Sequence, residues 1–371
     1  MTDSYAVPKE LKFEPDPEIR CRDFKIGCIG AGFIMADVQL SAYAMAHFPV
    51  VTIASRQADK AAEVATRWKI PTVHQTPFEL IEDPNVEIVD IAFPPDQQPE
   101  LIRHALNQKH VRGILAQKPL AMNFGQAKAI VDEAATTDKV LSVNQNMRFD
   151  QSMRVLKQLL EHNELGTPVL GTIEMRAIPH WQPFLASYDR LTLLNMSIHH
   201  LDVLRFLFGD PVEIYTAVRR DPRTEFDHTD GITVSTLKFP SNVLAVTMED
   251  VWSGPRQEGF DSDIYIKWRV EGMDGVAQGT IGWPDYPTGS PSTLRYCSSK
   301  STNGHWVQPS WETRWFPHAF AGVMEQLQYA LKTGTPPMLS ASDNLKTMAL
   351  VEAGYRSMQE GRAVRLAEFG F

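Results

Sequence analysis

A glycine pair placed between an apolar strand and a helix constrains this chain more than any other feature of its sequence. Phe24–Ile29 is predicted to be a buried strand, Gly30-Ala-Gly32 follows directly, and an alanine-rich helical pattern covers Met35–His47. The first glycine permits a tight turn, and the second lets the backbone approach a pyrophosphate at the helix N-terminus. Met35 replaces the usual third glycine, so the strand–helix setting carries the prediction of a dinucleotide site. A plain strand–helix turn is the alternative.

Strand and helix patterns alternate from this turn to about residue 148. The later strands are predicted at Val50–Ala54, Ile88–Phe93, Gly113–Ala116 and Val140–Val143. The helices between them are predicted at Gln57–Trp68, Pro99–Gln108 and Phe124–Thr136. Because parallel strands need helical crossovers, this alternation predicts a doubly wound α/β sheet over residues 23–148, a Rossmann dinucleotide-binding domain.

The pattern changes after this domain. A helix at Gln151–His162 precedes strand-like segments, which are Val169–Ala177, Glu213–Arg219, Gly231–Phe239, Leu244–Asp250 and Ile264–Gly272. Further helices are expected at Ile198–Phe208, Ala319–Lys332 and Ser342–Glu360, whereas the Pro-, Gly- and Trp-rich segment 281–317 is expected to be loop. Runs of strands predict a large, mostly antiparallel sheet, so residues 149–371 should form an α+β domain for substrate binding and oligomerisation. Residues 1–22 are expected to form an irregular N-terminal arm.

Composition limits the partners of this chain of 371 residues. Its formal net charge of -9 gives no general attraction for nucleic acid or for anionic membranes. The polar, Pro-rich N-terminus lacks the apolar core of a signal peptide, and no run of about 18 apolar residues could span a membrane. Three dispersed cysteines indicate a reducing compartment and no thiolate metal site. We therefore expect a cytoplasmic protein that acts on a small molecule.

The end of the second strand bears on the choice of dinucleotide. It reads Ala54-Ser55-Arg56, without the Asp or Glu that would hold the ribose 2′-hydroxyl of NAD. The guanidinium of Arg56 matches a 2′-phosphate, so NADP is favoured over NAD. Arg56 could instead stack on adenine and tolerate both dinucleotides.

Four segments, in the expected order, give the chain a resemblance to a known family. They are the Gly30–Met35 turn, Phe93-Pro-Pro95, Gln117-Lys-Pro-Leu120 and Asn195-Met-Ser-Ile-His-His-Leu-Asp202. The C-terminal segment from Asp343 to Glu360-Gly-Arg is also typical. Over nearly its whole length the chain resembles the Gfo/Idh/MocA oxidoreductases, named for glucose-fructose oxidoreductase and inositol dehydrogenase. The resemblance implies hydride transfer between nicotinamide and a hydroxyl-bearing carbon.

The resemblance also implies which residues carry the chemistry. Lys118, in a Gln-Lys-Pro segment where the family has Glu-Lys-Pro, would lie beside the nicotinamide and hydrogen-bond the reacting oxygen. An ammonium at the carboxyl end of a strand suits this role, because it stabilises a developing alkoxide. His199 would accept the proton of the alcohol, and the reference pKa of histidine, near neutrality, suits that task. Asn195 stands where the family has Asp, and it could support His199 or only cap a helix.

Further residues are expected at the same site. The dinucleotide contacts would be Gly30, Gly32, Phe33, Ile34, Ser55, Arg56, Phe93, Pro94, Gln98, Gln117, Lys118 and Asn146. The substrate contacts would be Arg148, His180, Trp181 and His200, with an interdomain ion pair as the alternative for Arg148. No metal is expected, because no second ligand cluster accompanies His200 and Asp202, and Asp202 can pair with Arg205.

The leading hypothesis is an NAD(P)-dependent dehydrogenase acting on a sugar, polyol or cyclitol, assembled as a homodimer or homotetramer through its C-terminal sheet. One alternative is a glycosidase or isomerase that retains its cofactor and oxidises its substrate transiently. Another is a non-catalytic sensor or regulator on the same scaffold. Lys118 and His199 argue against the regulator, whereas Asn195 and Gln117 leave it open.

Overall fold

Parallel strands form the first sheet of the computed structural model, which describes residues 11–177, 183–251, 264–282 and 289–371. In this described part the sheet has six strands, which are β1 (Ile26–Ile29), β2 (Val50–Ala54), β3 (Thr72–His74), β4 (Ile88–Ile91), β5 (Gly113–Ala116) and β6 (Val140–Val143). Their order across the sheet is β3-β2-β1-β4-β5-β6. The order reverses between β1 and β4, and at such a point a crevice opens beyond the carboxyl ends of the strands.

Continuous apolar runs explain why these strands lie at the centre of the domain. Every residue of β1, β4 and β5 is buried, as expected for parallel strands that are covered on both faces. The helices that cover them are α1 (Leu40–Ala46), α2 (Ala58–Trp68), α3 (Pro77–Glu82), α4 (Gln98–Leu106) and α5 (Phe124–Ala135). Side chains cap α3 and α5, because Thr76 accepts a hydrogen bond from the Glu79 amide and Asn123 accepts one from the Gln126 amide.

The chain passes from the glycine turn into α1 through a π-helix. This π-helix spans Ile34–Gln39, and another spans Leu193–Ser197 before α7 (Ile198–Phe208). A π turn holds more residues than an α turn, so side chains four positions apart no longer stack along the helix. The altered spacing applies to Met35, which is fully buried, and to Asn195 in the second π-helix.

A second, larger sheet lies in the C-terminal half of the chain. Among the described residues its eight strands are β7 (Pro168–Arg176), β8 (Glu213–Arg219), β9 (Ile232–Lys238), β10 (Leu244–Asp250), β11 (Tyr265–Gly272), β12 (Gly275–Ile281), β13 (Thr293–Ser298) and β14 (Val364–Arg365). The order is β13-β12-β11-β7-β10-β9-β8-β14, with β7 and β10 parallel and the other neighbours antiparallel. Buried and exposed residues alternate along β9, so one face of the sheet packs on the core and the other faces outward.

Helices from the C-terminal half connect the two sheets. Helix α6 (Gln151–Glu161) packs against β12 and β13 of the second sheet, and α8 (Trp315–Thr333) packs against α1, β5 and β6. Helix α9 (Ala341–Glu360) contacts α5 and β6 on one side and β8 on the other. Gln328 of α8 donates to the Phe24 carbonyl at 2.8 Å and accepts from the Phe24 amide at 3.0 Å. The end of the chain therefore returns to the Rossmann sheet, and apolar residues from both halves form one core.

The predicted fold class is confirmed, with corrections in detail. Strands β2, β5, β6, β8 and β10 begin and end where the sequence predicts. Strands β3 and β12 and helix α3 lie where no element is predicted, because β3 and α3 are short and β12 is interrupted by glycines. The expectation of loop over 281–317 is wrong, since β13 and the first turn of α8 lie there. Within the described ranges, no helix combines the length and the apolar character needed to cross a membrane.

Candidate active site

A cavity of about 780 Å³ opens at the point where the strand order of the first sheet reverses, and the second sheet closes its other side. The predicted site residues that line it are Gly30, Gly32, Phe33, Ile34, Ser55, Arg56, Phe93, Pro94, Gln117, Lys118, Asn146, Asn195, His199 and His200. The structure thus brings the glycine turn, the lysine and the histidines to one cavity. Residues of the second sheet, Met175 and Ile266, complete the wall.

The two glycines of the turn do different work. Gly30 has φ +124°, and a Cβ there would lie 2.7 Å from the Ala92 carbonyl oxygen, so the turn itself requires glycine. A Cβ on Gly32 would meet no atom within 4 Å, because the space beside it belongs to the cavity. The Gly32 backbone is therefore accessible from the cavity at the start of a helical segment, where backbone N–H groups can bind a pyrophosphate. The residues present therefore fit a dinucleotide.

Arg56 lies at the outer end of the cavity, on the loop after β2. Its Nη1 donates to Gln97 Oε1 at 2.7 Å, and its Cζ lies 5.4 Å from the centre of the Phe93 ring. The partner is a neutral amide, so the guanidinium charge is available to an anion. Ser55 lines the same end of the cavity, and its hydroxyl accepts from the Gln57 amide at 3.3 Å.

Lys118 enters the cavity from the loop after β5. Its Nζ donates to the backbone carbonyl of Asn195 at 2.7 Å, across the boundary between the two halves of the chain. Burial lowers the pKa of this amine to about 8, because removing a charge from water is costly. The amine is therefore mostly protonated at neutral pH, and an ammonium has further donors for an oxygen in the cavity.

His199 lies on the first turn of α7, and its ring is partly buried, with Nδ1 fully enclosed. Burial, and then the positive charge of Lys118, hold the pKa of His199 well below its ordinary value. The imidazole is therefore neutral at pH 7 and able to accept a proton. Its Nδ1 has no hydrogen-bond partner among the described residues, and its ring meets Trp315 edge-on, with centroids 6.1 Å apart.

Asn195 is not a helix cap, so that interpretation is wrong. It lies inside the second π-helix, where its backbone N–H donates to the Leu191 carbonyl at 3.1 Å. The Asn195 Nδ2 atom, like Nδ1 of His199, finds no partner in the part of the chain that the structure describes. The two side chains therefore make no hydrogen bond with each other. Asn195 contributes to the site its backbone oxygen, which holds Lys118, and an unsatisfied amide.

Gln98 supports the site from behind and does not line the cavity. Its Nε2 lies within 3.1 Å of the carbonyl oxygens of Gln117, Pro119 and Leu120, and its Oε1 accepts from the Gln117 amide at 3.0 Å. It is completely buried, so all its hydrogen-bonding capacity goes to shaping the loop that carries Lys118. The predicted cofactor contact at Gln98 is therefore corrected to a role in loop support.

Arg148 is also placed away from the cavity. It donates to Asp202 at 2.6 and 2.7 Å and to Asp343 at 2.7 Å, in a buried network between α7 and α9. The ion-pair alternative therefore replaces the predicted substrate contact. Arg205 lies 3.8 Å from Asp202, so the predicted pairing of these two residues is the weaker contact. The predicted substrate residues His180 and Trp181 lie outside the described residues.

Sequence reasoning missed a buried network behind the glycine turn. Gln117 donates to Gln39 Oε1 at 2.9 Å, while Gln39 and Tyr43 each donate to Asp90 Oδ2 at 2.7 Å. Burial raises the pKa of Asp90 to about 7, although both donors oppose that rise. A polar Asp within the apolar strand β4 was the available signal. The network fixes the Gln117 side chain at the cavity wall.

Aromatic residues at the start of α8 were also missed. Trp315, Phe316 and Phe320 line the cavity, and Trp315 Nε1 donates to Asn146 Oδ1 at 2.9 Å. The sequence pattern of their segment predicts a Trp-rich loop. It therefore does not indicate that the segment contacts the cavity, whose other residues lie far away along the chain. Among the residues described, no group of three or more His, Cys, Asp or Glu side chains could hold a metal ion.

Family models and curated relatives cover most of the chain. Residues 24–145 match "Oxidoreductase family, NAD-binding Rossmann fold", and residues 153–278 match "GFO/IDH/MocA C-terminal domain". D-apiose dehydrogenase from Rhizobium rhizogenes is 25% identical over 92% of this chain and 97% of its own length. Myo-inositol 2-dehydrogenase from Thermotoga maritima is 26% identical over 93% of this chain and 99% of its own length.

Solved structures share the fold over nearly the whole chain. An oxidoreductase from Agrobacterium radiobacter, in complex with NAD+, L-tartaric acid and magnesium, has a TM-score of 0.77 at 23% identity and covers 93% of this chain and 99% of its own. Levoglucosan dehydrogenase, in complex with NADH and L-sorbose, has a TM-score of 0.78 at 17% identity, with 94% and 100% covered. As its motifs predict, the chain belongs to the Gfo/Idh/MocA family of oxidoreductases.

Proposed function

We propose that this enzyme oxidises a hydroxyl-bearing carbon of a sugar, polyol or cyclitol with NADP or NAD, or reduces the corresponding carbonyl. The observation that carries the proposal is that Lys118 and His199 face the same cavity as the bare Gly32 backbone. The relatives named D-apiose dehydrogenase and myo-inositol 2-dehydrogenase support the substrate class.

The two reactive side chains have complementary states at neutral pH. His199 is neutral and can take the proton of the substrate hydroxyl as its oxygen develops negative charge. Lys118 is protonated and can stabilise that oxygen, because an ammonium in a partly buried site interacts strongly with an anion. A bound nicotinamide dinucleotide would supply the acceptor for the hydride that leaves the carbinol carbon.

NADP is the favoured dinucleotide in this proposal. Arg56 lies at the end of the cavity next to Ser55, after the second strand, where a dinucleotide fold holds the ribose. Its guanidinium bonds a neutral amide rather than a carboxylate, so it can pair with a 2′-phosphate. NAD is the alternative, in which Arg56 stacks on adenine.

The outer face of the C-terminal sheet supports a homodimer or homotetramer. Large apolar side chains lie exposed on that face at Tyr215, Val234 and Leu244, with relative exposures of 44%, 38% and 53%. Apolar side chains exposed on one sheet face are available to pack against a second copy of the chain. The unpaired cysteines Cys21, Cys28 and Cys297 fit a reducing compartment, so the cytoplasm is the proposed location.

A spectrophotometric screen of sugars and cyclitols with NADP and with NAD tests the proposal. The expected result is reduced nicotinamide with at least one polyol, and its loss by several orders of magnitude in Lys118→Ala with little change in cofactor affinity. Lys109→Ala, at an exposed lysine, is the matched control and should keep its activity. Release of an alcohol leaving group without net cofactor change would indicate a cofactor-retaining glycosidase. Binding without turnover would indicate a regulator.

A further inference from the structure

His200 forms a buried pair with a carboxylate that sequence analysis did not single out. Its Nδ1 lies 2.9 Å from Glu249 Oε1, and the other carboxylate oxygen accepts from the Thr233 hydroxyl at 2.6 Å. Both His200 and Glu249 are fully buried. Glu249 lies on β10, so the second sheet fixes the orientation of a side chain that α7 presents to the cavity.

This pairing determines which ring nitrogen of His200 carries the proton. A carboxylate only accepts hydrogen bonds, so a ring proton lies on Nδ1, and the tautomer that carries its single proton there has a bare lone pair on Nε2. Among the described residues Nε2 has no partner, although it is buried. An orphaned acceptor on a ring that lines a cavity is a position at which a ligand donor would be satisfied.

The neighbouring histidine provides a second contact of a different kind. His199 and His200 are adjacent on a helix, so their side chains project about 100° apart and reach different groups of one ligand. In the described structure, buried nitrogens without partners occur at Asn195, His199 and His200, along one segment of the cavity wall. Neighbouring hydroxyls supply what these atoms lack, because each hydroxyl both donates and accepts.

We propose that His200, held by Glu249, accepts a hydrogen bond from a hydroxyl on the carbon next to the reacting carbinol, which makes the enzyme selective for vicinal diols. This inference rests on the proposed function, since it takes His199 to contact the reacting hydroxyl. A substrate without the second hydroxyl would leave Nε2 of His200 unpaired, and sites with an unpaired buried polar group discriminate strongly against such analogues.

Paired substrates test the selectivity. The probes are D-glucose and its 2-, 3- and 4-deoxy analogues, compared by kcat/KM. In the parent enzyme, one deoxy analogue that keeps the reacting hydroxyl should have a kcat/KM about tenfold or more below that of D-glucose. His200→Leu should reduce that ratio to about twofold or less, while His200→Gln, whose amide oxygen can replace Nε2, should retain part of it. Glu325→Gln, at a buried carboxylate that does not line the cavity, is the control and should leave the ratio unchanged.

Nitrogen-15 NMR of histidine-labelled protein provides a readout that needs no turnover. The His200 resonances, assigned by their loss in His200→Gln, should show a protonated Nδ1 and an unprotonated Nε2, and Glu249→Gln should allow both tautomers. A proton found on Nε2 in the parent protein would overturn the proposal, and so would an unchanged deoxy ratio in His200→Leu. If none of the probes is oxidised, the proposed function fails for these sugars, and the tautomer measurement decides the inference alone: a proton on Nδ1 with none on Nε2 supports it, and a proton on Nε2 overturns it.

Discussion

Replacing Lys118 by Met should stabilise the protein while it abolishes turnover. The amine is partly buried, and burial lowers its pKa from 10.5 to about 8. One pKa unit corresponds to about 1.4 kcal/mol, so the difference amounts to about 3.5 kcal/mol as an upper limit. Solvent reaches part of the side chain and screens its charge, so about 1–3 kcal/mol of added stability is expected for the variant at neutral pH.

The gain should depend on pH in a defined direction. Between the folded and unfolded pKa values the unfolded chain keeps a proton that the folded protein has released, so the stability of the parent rises with pH. The cost of burying the charge is therefore fully present below about pH 8 and is lost as the pH rises toward 10.5. The advantage of Lys118→Met should be largest near pH 7 and should shrink near pH 10.

Urea denaturation of the parent, of Lys118→Met and of the exposed-site control Lys109→Met measures these differences at both pH values. The control should follow the parent in stability and in activity. A Lys118→Met protein that is no more stable than the parent at neutral pH, or whose advantage is the same at both pH values, would refute the burial cost. A Lys118→Met protein that gains stability but keeps its turnover would show that Lys118 is not needed for the reaction.

Four further predictions concern the cavity. Gly32→Val should abolish dinucleotide binding in calorimetry without lowering the melting temperature, because a Cβ at position 32 meets only open space. Gly30→Ala should instead destabilise the fold. Unchanged affinity in Gly32→Val would contradict the pyrophosphate site. Arg56→Ala should weaken NADP binding and barely change NAD binding, and equal affinities in the parent would leave Arg56 as an adenine contact. Oxidation should persist below pH 6.5 and decline above about pH 8, because His199 must be neutral and Lys118 protonated. Asn195→Asp should move the acidic limb of that profile to higher pH, since a carboxylate favours imidazolium, and an unmoved limb would show that the two side chains do not interact.

The elements that the sequence predicted well are those in which pattern and burial agree. Gly113–Ala116 and Val140–Val143 are short apolar runs that lie inside a parallel sheet, and their bounds are as predicted. The hairpin partners Gly275–Ile281 and Thr293–Ser298 were missed, because glycines and prolines dominate that region and pairing across the sheet decides its structure. A local pattern does not contain such long-range pairing.

The candidate site shows the same division. Residues that belong to motifs, such as Gly32, Lys118 and His199, line one cavity. Glu249 and Trp315 reach the site only through tertiary packing, so no local pattern marks them as site residues. Neither π-helix was predicted, since both replace an α turn without a break in the apolar pattern.

The hydrogen bond from Lys118 to the Asn195 carbonyl joins the loop after β5 to the π-helix that precedes α7. The position of the amine relative to a substrate oxygen therefore depends on how the two halves of the chain pack together. Lys118 comes from the first half and His199 from the second, so neither half holds both reactive groups. Moving one half of the chain away from the other would break the hydrogen bond between the Lys118 amine and the Asn195 carbonyl. It would also separate the amine from the imidazole of His199. The amine and the imidazole are therefore placed for the reaction only while the two halves of the chain stay packed together.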